Sequence, residues 1–140
     1  MSTILVDNLT GKTSAGSITV TSEGGAATQS LQQGLAKAWV NFNGTGTIAI
    51  RDSLSVSGLV DNAAGNYDVN FSNNMSNDDY SAPTASKFVA SYHGLCSIST
   101  QTTSELTLFG MTGAPTSAYL GSNYKGDQEI VNCTIHGDLA

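Results

Sequence analysis

The chain has 140 residues, of which 39% are hydrophobic and only 11% charged, with a net charge of −6. That length suits one domain with a short appendage, and the low charge argues against both a disordered polyelectrolyte and a charge-rich helical bundle. The 5 basic residues are scattered singly, as Lys12, Lys37, Arg51, Lys87 and Lys125, so no Lys/Arg cluster is available for nucleic-acid phosphates or anionic membrane surfaces.

Polarity comes from uncharged residues instead. Ser and Thr make up about a quarter of the chain, with Asn and Gly prominent beside them. No apolar run reaches the ~20 residues of a membrane-spanning helix. The N-terminus, Met1 to Asp7, lacks the basic region and long apolar stretch of a secretory signal. The expectation is a protein made in the cytoplasm and left there unless it leaves as part of a particle.

In chain order, residues 1–36 read as an N-terminal segment and residues 37–140 as a β-rich domain. The first segment offers short β pieces, Thr3–Val6 and Ser17–Thr21, punctuated by Gly11, Gly16, Gly24 and Gly25. It has few large residues and cannot build a core of its own, so it packs against its own domain, another chain or a larger particle. From Ala26 to Ala38, the residues Ala27, Leu31, Leu35 and Ala38 recur at helical spacing, which predicts a helix of about three turns. Thr28 or Ser30 could cap it. Gly34 inside it costs roughly 1 kcal/mol relative to Ala. A Leu31/Leu35 stripe suits a short intersubunit bundle as well as docking on the chain's own domain.

The remainder is all-β by pattern. Ala38–Phe42 and Thr47–Ile50 flank the turn Asn43-Gly44-Thr45-Gly46, and Asn-Gly between such runs is a strong hairpin signal. Strict alternation puts Val40 and Phe42 on one face and Trp39 and Asn41 on the other. Val40 and Phe42 are the better core candidates, which turns Trp39 toward the helix or a neighbouring chain. Leu54–Val56 and Leu59-Val60 offer further strand material. A turn at Asp61–Gly65 leads into alternating Tyr67–Phe71. Ser72–Asp79 reads as polar loop. Phe88–Tyr92, Leu106–Phe109 and Ile130–His136 are later strands. Several short strands separated by Gly and Asn indicate an antiparallel sandwich or barrel-like domain.

No constellation for catalysis emerges. Asp78-Asp79 is the only adjacent carboxylate pair and reads as a solvated turn rather than a glycosidase pair. Asp61–Gly65 lacks the oxygen ligands of an EF-hand loop. His93 and His136 have no defensible nucleophile or metal partner, and no GxSxG elbow is present. No metal or other cofactor is expected. Cys96 and Cys133 read as buried free thiols, with a single disulfide the other possibility. Surface recognition remains. Tyr80, Tyr92, Tyr119 and Tyr124 lie among Ser, Gly and Asn, a mixture that suits contact with glycans or proteins. Tyr92, Tyr119 and Tyr124 are the receptor-facing candidates, and the competing reading is that such tyrosines complete strand edges and cores.

The segment Lys37–Thr47 (KAWVNFNGTGT) and the segment Asp61–Phe71 (DNAAGNYDVNF) together resemble a domain of tail-fibre-like proteins from marine bacteriophages, including those that infect cyanobacteria. Thr3–Thr13 and Ile135–Ala140 resemble the ends of such proteins more weakly, and the resemblance fades across residues 81–126. It implies a virion component, a homotrimer that attaches to other virion proteins through its N-terminal part. The distal β domain would meet a host surface glycan or protein. It implies no catalytic residues. Leu31, Leu35 and Trp39 are then the candidate oligomerisation residues. A capsid-decorating or head-fibre protein is the alternative within the virion, and a free-standing glycan-binding module is the alternative outside it.

Overall fold

The structure is a computed structural model that describes residues 3–87, 93–113 and 125–140. In chain order its elements are β1 (Thr19–Thr21), β2 (Thr28–Ser30), α1 (Leu31–Gly34), β3 (Ala38–Asn43), β4 (Ala49–Leu54), β5 (Val56–Ala63), β6 (Asn66–Phe71), β7 (Thr84–Ser86), β8 (His93–Gln101), β9 (Glu105–Gly113) and β10 (Val131–Ile135). The chain divides into two compact units, residues 1–35 and 36–140.

The larger unit is built from strands with one apolar face. Ala38, Val40 and Phe42 are buried along β3, Tyr67, Val69 and Phe71 along β6, and Val131, Cys133 and Ile135 along β10. Period-two alternation puts each set on one side of its strand. Two four-stranded antiparallel sheets result, ordered β4-β3-β10-β7 and β5-β6-β9-β8. Their buried faces form one core. The Phe42 ring of the first sheet meets the Tyr67 ring of the second edge-on, with centroids 5.2 Å apart. Burying a side chain of this size stabilises the fold by roughly 1.5–3 kcal/mol. The chain is therefore nearly all β, sandwich-like and antiparallel, as the sequence pattern predicts.

The two sheets meet at both side edges. Ser55, with φ of 55°, joins β4 of one sheet to β5 of the other, and its carbonyl accepts the Ser72 N–H at 2.9 Å. At the opposite edge the Thr84 hydroxyl of β7 donates to the Cys96 carbonyl of β8 at 2.8 Å.

Two residues outside the expected strands join the core of this unit. Residues 72–79 form a loop, but Met75 within it is 2% exposed. Tyr80 joins the core rather than a recognition surface. It is buried, its ring packs edge-on against Phe71, and its hydroxyl donates to the Glu105 carbonyl at 3.0 Å. The predicted strand Phe88–Tyr92 lies outside the described residues.

In the smaller unit, β1 and β2 pair antiparallel, with Thr19 opposite Ser30 and Thr21 opposite Thr28. The helix expected over Ala26–Ala38 shrinks to the single turn of α1. Thr28–Ser30 is committed to the hairpin, so helix begins only after Ser30, whose side chain caps it by accepting the Gln33 N–H at 3.4 Å. The turn ends at Gly34, and Leu35 is already extended. No residue of α1 is buried, so no packing extends it past its unfavourable nucleus. Thr3–Val6, expected as strand, has no regular structure.

Candidate functional site

The two segments that carry the resemblance meet in the interior of the larger unit. Gly44 lies in the β3–β4 turn and Tyr67 near the start of β6. The Tyr67 hydroxyl is 3.1 Å from the Gly44 carbonyl and 2.9 Å from Asp127 Oδ1. The same carboxylate oxygen accepts the Gly65 N–H at 2.7 Å. Gly65 holds the tight turn between β5 and β6 with φ of +65°, and a Cβ there would lie 2.4 Å from the Gly110 carbonyl oxygen. Gln128, next along the chain, continues the clamp. Its carbonyl accepts the Gly44 N–H at 2.9 Å, and its Nε2 donates to the Leu95 and Met111 carbonyls, both at 3.0 Å.

This arrangement holds strands rather than reacting. Burial, reinforced by the hydrogen bond to Asp127 and its negative charge, pushes the Tyr67 phenol well above its ordinary value. It stays neutral through the physiological range and serves as a donor. The thiols behave similarly. Cys96 and Cys133 are free and buried, and burial pushes them up to about 11 and about 12. A buried thiol held protonated is a poor nucleophile.

The outward face of the first sheet has different chemistry. An open groove of about 420 Å³ runs over β4, β3 and β10, bounded by Trp39, Asn41, Arg51, Asp52, Asn132 and Thr134 among others. Register sets two rows across these strands. Leu54, Trp39 and Thr134 form one row, and Asp52, Asn41 and Asn132 form the next. Asn41 Nδ2 donates to Asn132 Oδ1 at 2.6 Å, while Asn41 Oδ1 is closed from solvent without a partner. A β-bulge interrupts β4, since Asn41 pairs with Asp52 but Phe42 pairs with Ile50. Arg51 is the extra residue. Arg51 and Asp52, neighbours in sequence, both border the groove. The Arg51 guanidinium reaches the Phe42 carbonyl at 3.4 Å.

Of the residues singled out from the sequence, Trp39 stands in this groove, half-buried, on the face opposite Val40 and Phe42. Leu31 and Leu35 belong to the smaller unit, where Leu35 is exposed. Tyr92, Tyr119 and Tyr124 lie outside the described residues. Asp78 and Asp79 are exposed, and the Asp79 N–H is held by Asn77 Oδ1 at 3.0 Å, as a solvated turn requires. Among the described residues no three His, Cys, Asp or Glu side chains are grouped to hold a metal ion. Sequence reasoning missed the groove's polar row. Alternation alone pairs Asn41 with Trp39 and Asn132 with Thr134 on outward faces, but nothing local announces the bulge at Arg51.

Comparison of the chain with protein-family models, with curated proteins and with solved structures finds no match.

Proposed function

We propose that this chain is a fibre-like structural protein of a bacteriophage virion, attached to the particle by its N-terminal segment and presenting the β domain for host-surface recognition. The observation that carries the attachment is an imbalance between the two units. No described residue of the smaller unit is buried, yet Ile4, Leu5, Val6, Leu9 and Val20 are exposed there. Among the described residues, the core cluster of the larger unit is drawn from residues 38–135. Apolar side chains without a core of their own are completed by a partner surface. The likeness of Lys37–Thr47 and Asp61–Phe71 to marine phage fibre domains supplies the class of particle.

Three copies assemble around this segment, with Leu31 and Leu35 among the contacts, because closed cyclic symmetry buries such patches without leaving an open end. The role is binding rather than chemistry, and no cofactor takes part.

Mass spectrometry and a density map of particles from the phage that encodes the chain test this reading. The chain should be present in copies divisible by three, with residues 1–36 against the particle and the β domain outward. Absence from purified particles overturns the reading. Location on the head makes the chain a capsid-decorating or head-fibre protein instead.

A further inference from the structure

We propose that the groove over β4, β3 and β10 binds the ring of a neutral sugar. The sugar supplies a ligand class for the recognition role above, and the site is argued from this face alone. A pyranose has an apolar face of C–H bonds and a rim of hydroxyls. The groove has the matching division. Trp39 offers an aromatic face, whose negative π-cloud attracts polarised C–H groups. One pair of residues along each strand, ~7 Å away, runs the row Asp52, Asn41 and Asn132, which offers carboxylate and amide partners to hydroxyls.

Three further features favour a built site over a bare sheet surface. First, Trp39 is half-buried, so its ring is held by its surroundings rather than free to sweep solvent. Second, Asn41 and Asn132 lock one another at 2.6 Å, which fixes the polar row before any ligand arrives. Pre-organised partners lower the ordering cost of binding. Third, a bulge interrupts β4 at Arg51 on the border of the groove, and bulges are used to re-aim side chains at sites. The volume, about 420 Å³, lies within the ~300–1,000 Å³ range of small-ligand sites.

Charge selects among sugars. Arg51 and Asp52 offset each other locally, and the chain as a whole carries −6. An acidic sugar would be repelled by the net negative charge of the chain, whereas a neutral hexose is not. Hydroxyls can pair with Asp52 and Asn132 at once, and each such bond to a charged acceptor is stronger than one to a neutral group.

Trp39 is the only tryptophan in the chain, so its emission reports this groove alone. The full-length chain is titrated with methyl glycosides of glucose, mannose and galactose, with cellohexaose and maltohexaose, and with the methyl glycoside of N-acetylneuraminic acid. At least one neutral sugar should shift the emission to shorter wavelength and saturate, while the acidic sugar should not. Asp52→Ala and Asn132→Ala should each weaken that sugar about tenfold, with the melting midpoint showing that each variant is folded. Trp39→Phe should keep a weakened signal in saturation-transfer NMR, because the aromatic face persists. No response to any neutral sugar, or preference for the acidic one, overturns the proposal. So does a loss of oligomer in Trp39→Ala without any sugar response, which makes the groove a contact between copies. These outcomes leave the particle-location test untouched.

Discussion

The Tyr67 hydroxyl lies 2.9 Å from Asp127 Oδ1, across 60 positions of sequence, and this contact ties the β5–β6 hairpin to the segment that leads into β10. The same hydroxyl touches the Gly44 carbonyl, so one side chain links the second sheet to the β3–β4 turn of the first. Tyr67 is fully buried. Tyr67→Phe keeps the ring contact with Phe42 but removes the one hydroxyl proton shared by the Gly44 carbonyl and Asp127 Oδ1, of which Asp127 keeps the Gly65 N–H. A buried acceptor left unpaired costs ~1–3 kcal/mol. Urea unfolding of Tyr67→Phe should show a loss of that size at an unchanged denaturant slope. A stability equal to that of the parent chain would mean that water replaces the hydroxyl and that the clamp contributes nothing.

Alkaline pH tests the same interior from another direction. Burial raises Tyr67 above 10, Tyr80 from 10.0 to about 12, Cys96 from 9.0 to about 11 and Cys133 from 9.0 to about 12. In each case the folded state holds a proton that the unfolded chain releases first, so the unfolded state binds fewer protons and stability falls as pH rises. The contribution is fully present below about pH 9, begins to fall as the unfolded thiols ionise, and is lost as pH passes the folded values. Unfolding midpoints should be level from neutral pH to about 9 and then decline. Cys96→Ala with Cys133→Ala should postpone the decline until the tyrosines ionise, near pH 10. A decline beginning at the same pH in that variant would remove the thiols from the account.

Much of the larger unit is legible in the sequence because alternation carries the information. Val40 with Phe42, and Tyr67, Val69 and Phe71, face the core as period two requires. The Asn43–Gly46 cluster marks the β3–β4 connection, although that connection runs over residues 44–48 and takes in Thr47 and Ile48, and of the expected Asp61–Gly65 turn only Ala64 and Gly65 turn while Asp61–Ala63 belong to β5. What escapes is decided at long range. Thr28–Ser30 has helical spacing with its neighbours but is taken by Thr19–Thr21 as a strand partner. Met75 and Tyr80 are buried from within polar sequence. Asp127 and Gln128 have no periodic context, yet their bonds reach Gly44, Gly65 and Tyr67. Of the candidate groove, Trp39 and Asn41 could be placed on one face, but nothing local marks the bulge at Arg51.

Thiol reactivity gives a direct check on the packing of the two sheets. Cys133 is 2% exposed on β10 and Cys96 is 8% exposed on β8. In the native chain neither should react with a thiol reagent at neutral pH, and both should react once the chain is unfolded in denaturant. Fast labelling of either thiol without denaturant would show that its strand opens locally.

Opposite faces of β3 predict opposite sensitivities. Phe42 is fully buried between the sheets, whereas Trp39 is half-buried on the outward face. Phe42→Ala should cost ~3–5 kcal/mol, the loss expected for a large side chain deleted from a core. Trp39→Ala should cost distinctly less despite removing more atoms. Equal losses in chemical denaturation would make Trp39 an ordinary core residue and would close the groove to any ligand.

Two glycines with the same backbone conformation separate strain from crowding. Gly46 has φ of +63° with open space around its α-carbon, and Gly65 has φ of +65° with the Gly110 oxygen 2.4 Å from where a Cβ would stand. An L side chain in this region costs roughly 1–2 kcal/mol from the backbone alone. Gly46→Ala should lose about that much. Gly65→Ala carries the same strain and also drives a methyl group into the backbone of β9 and of Gly126, where no flexible side chain can yield. Moving that backbone also disturbs the Gly65 N–H bond to Asp127. The Gly65 variant should therefore melt well below the Gly46 variant. Matched melting temperatures would show that β9 retreats without cost and that the Asp127 clamp does not depend on the close approach at Gly65.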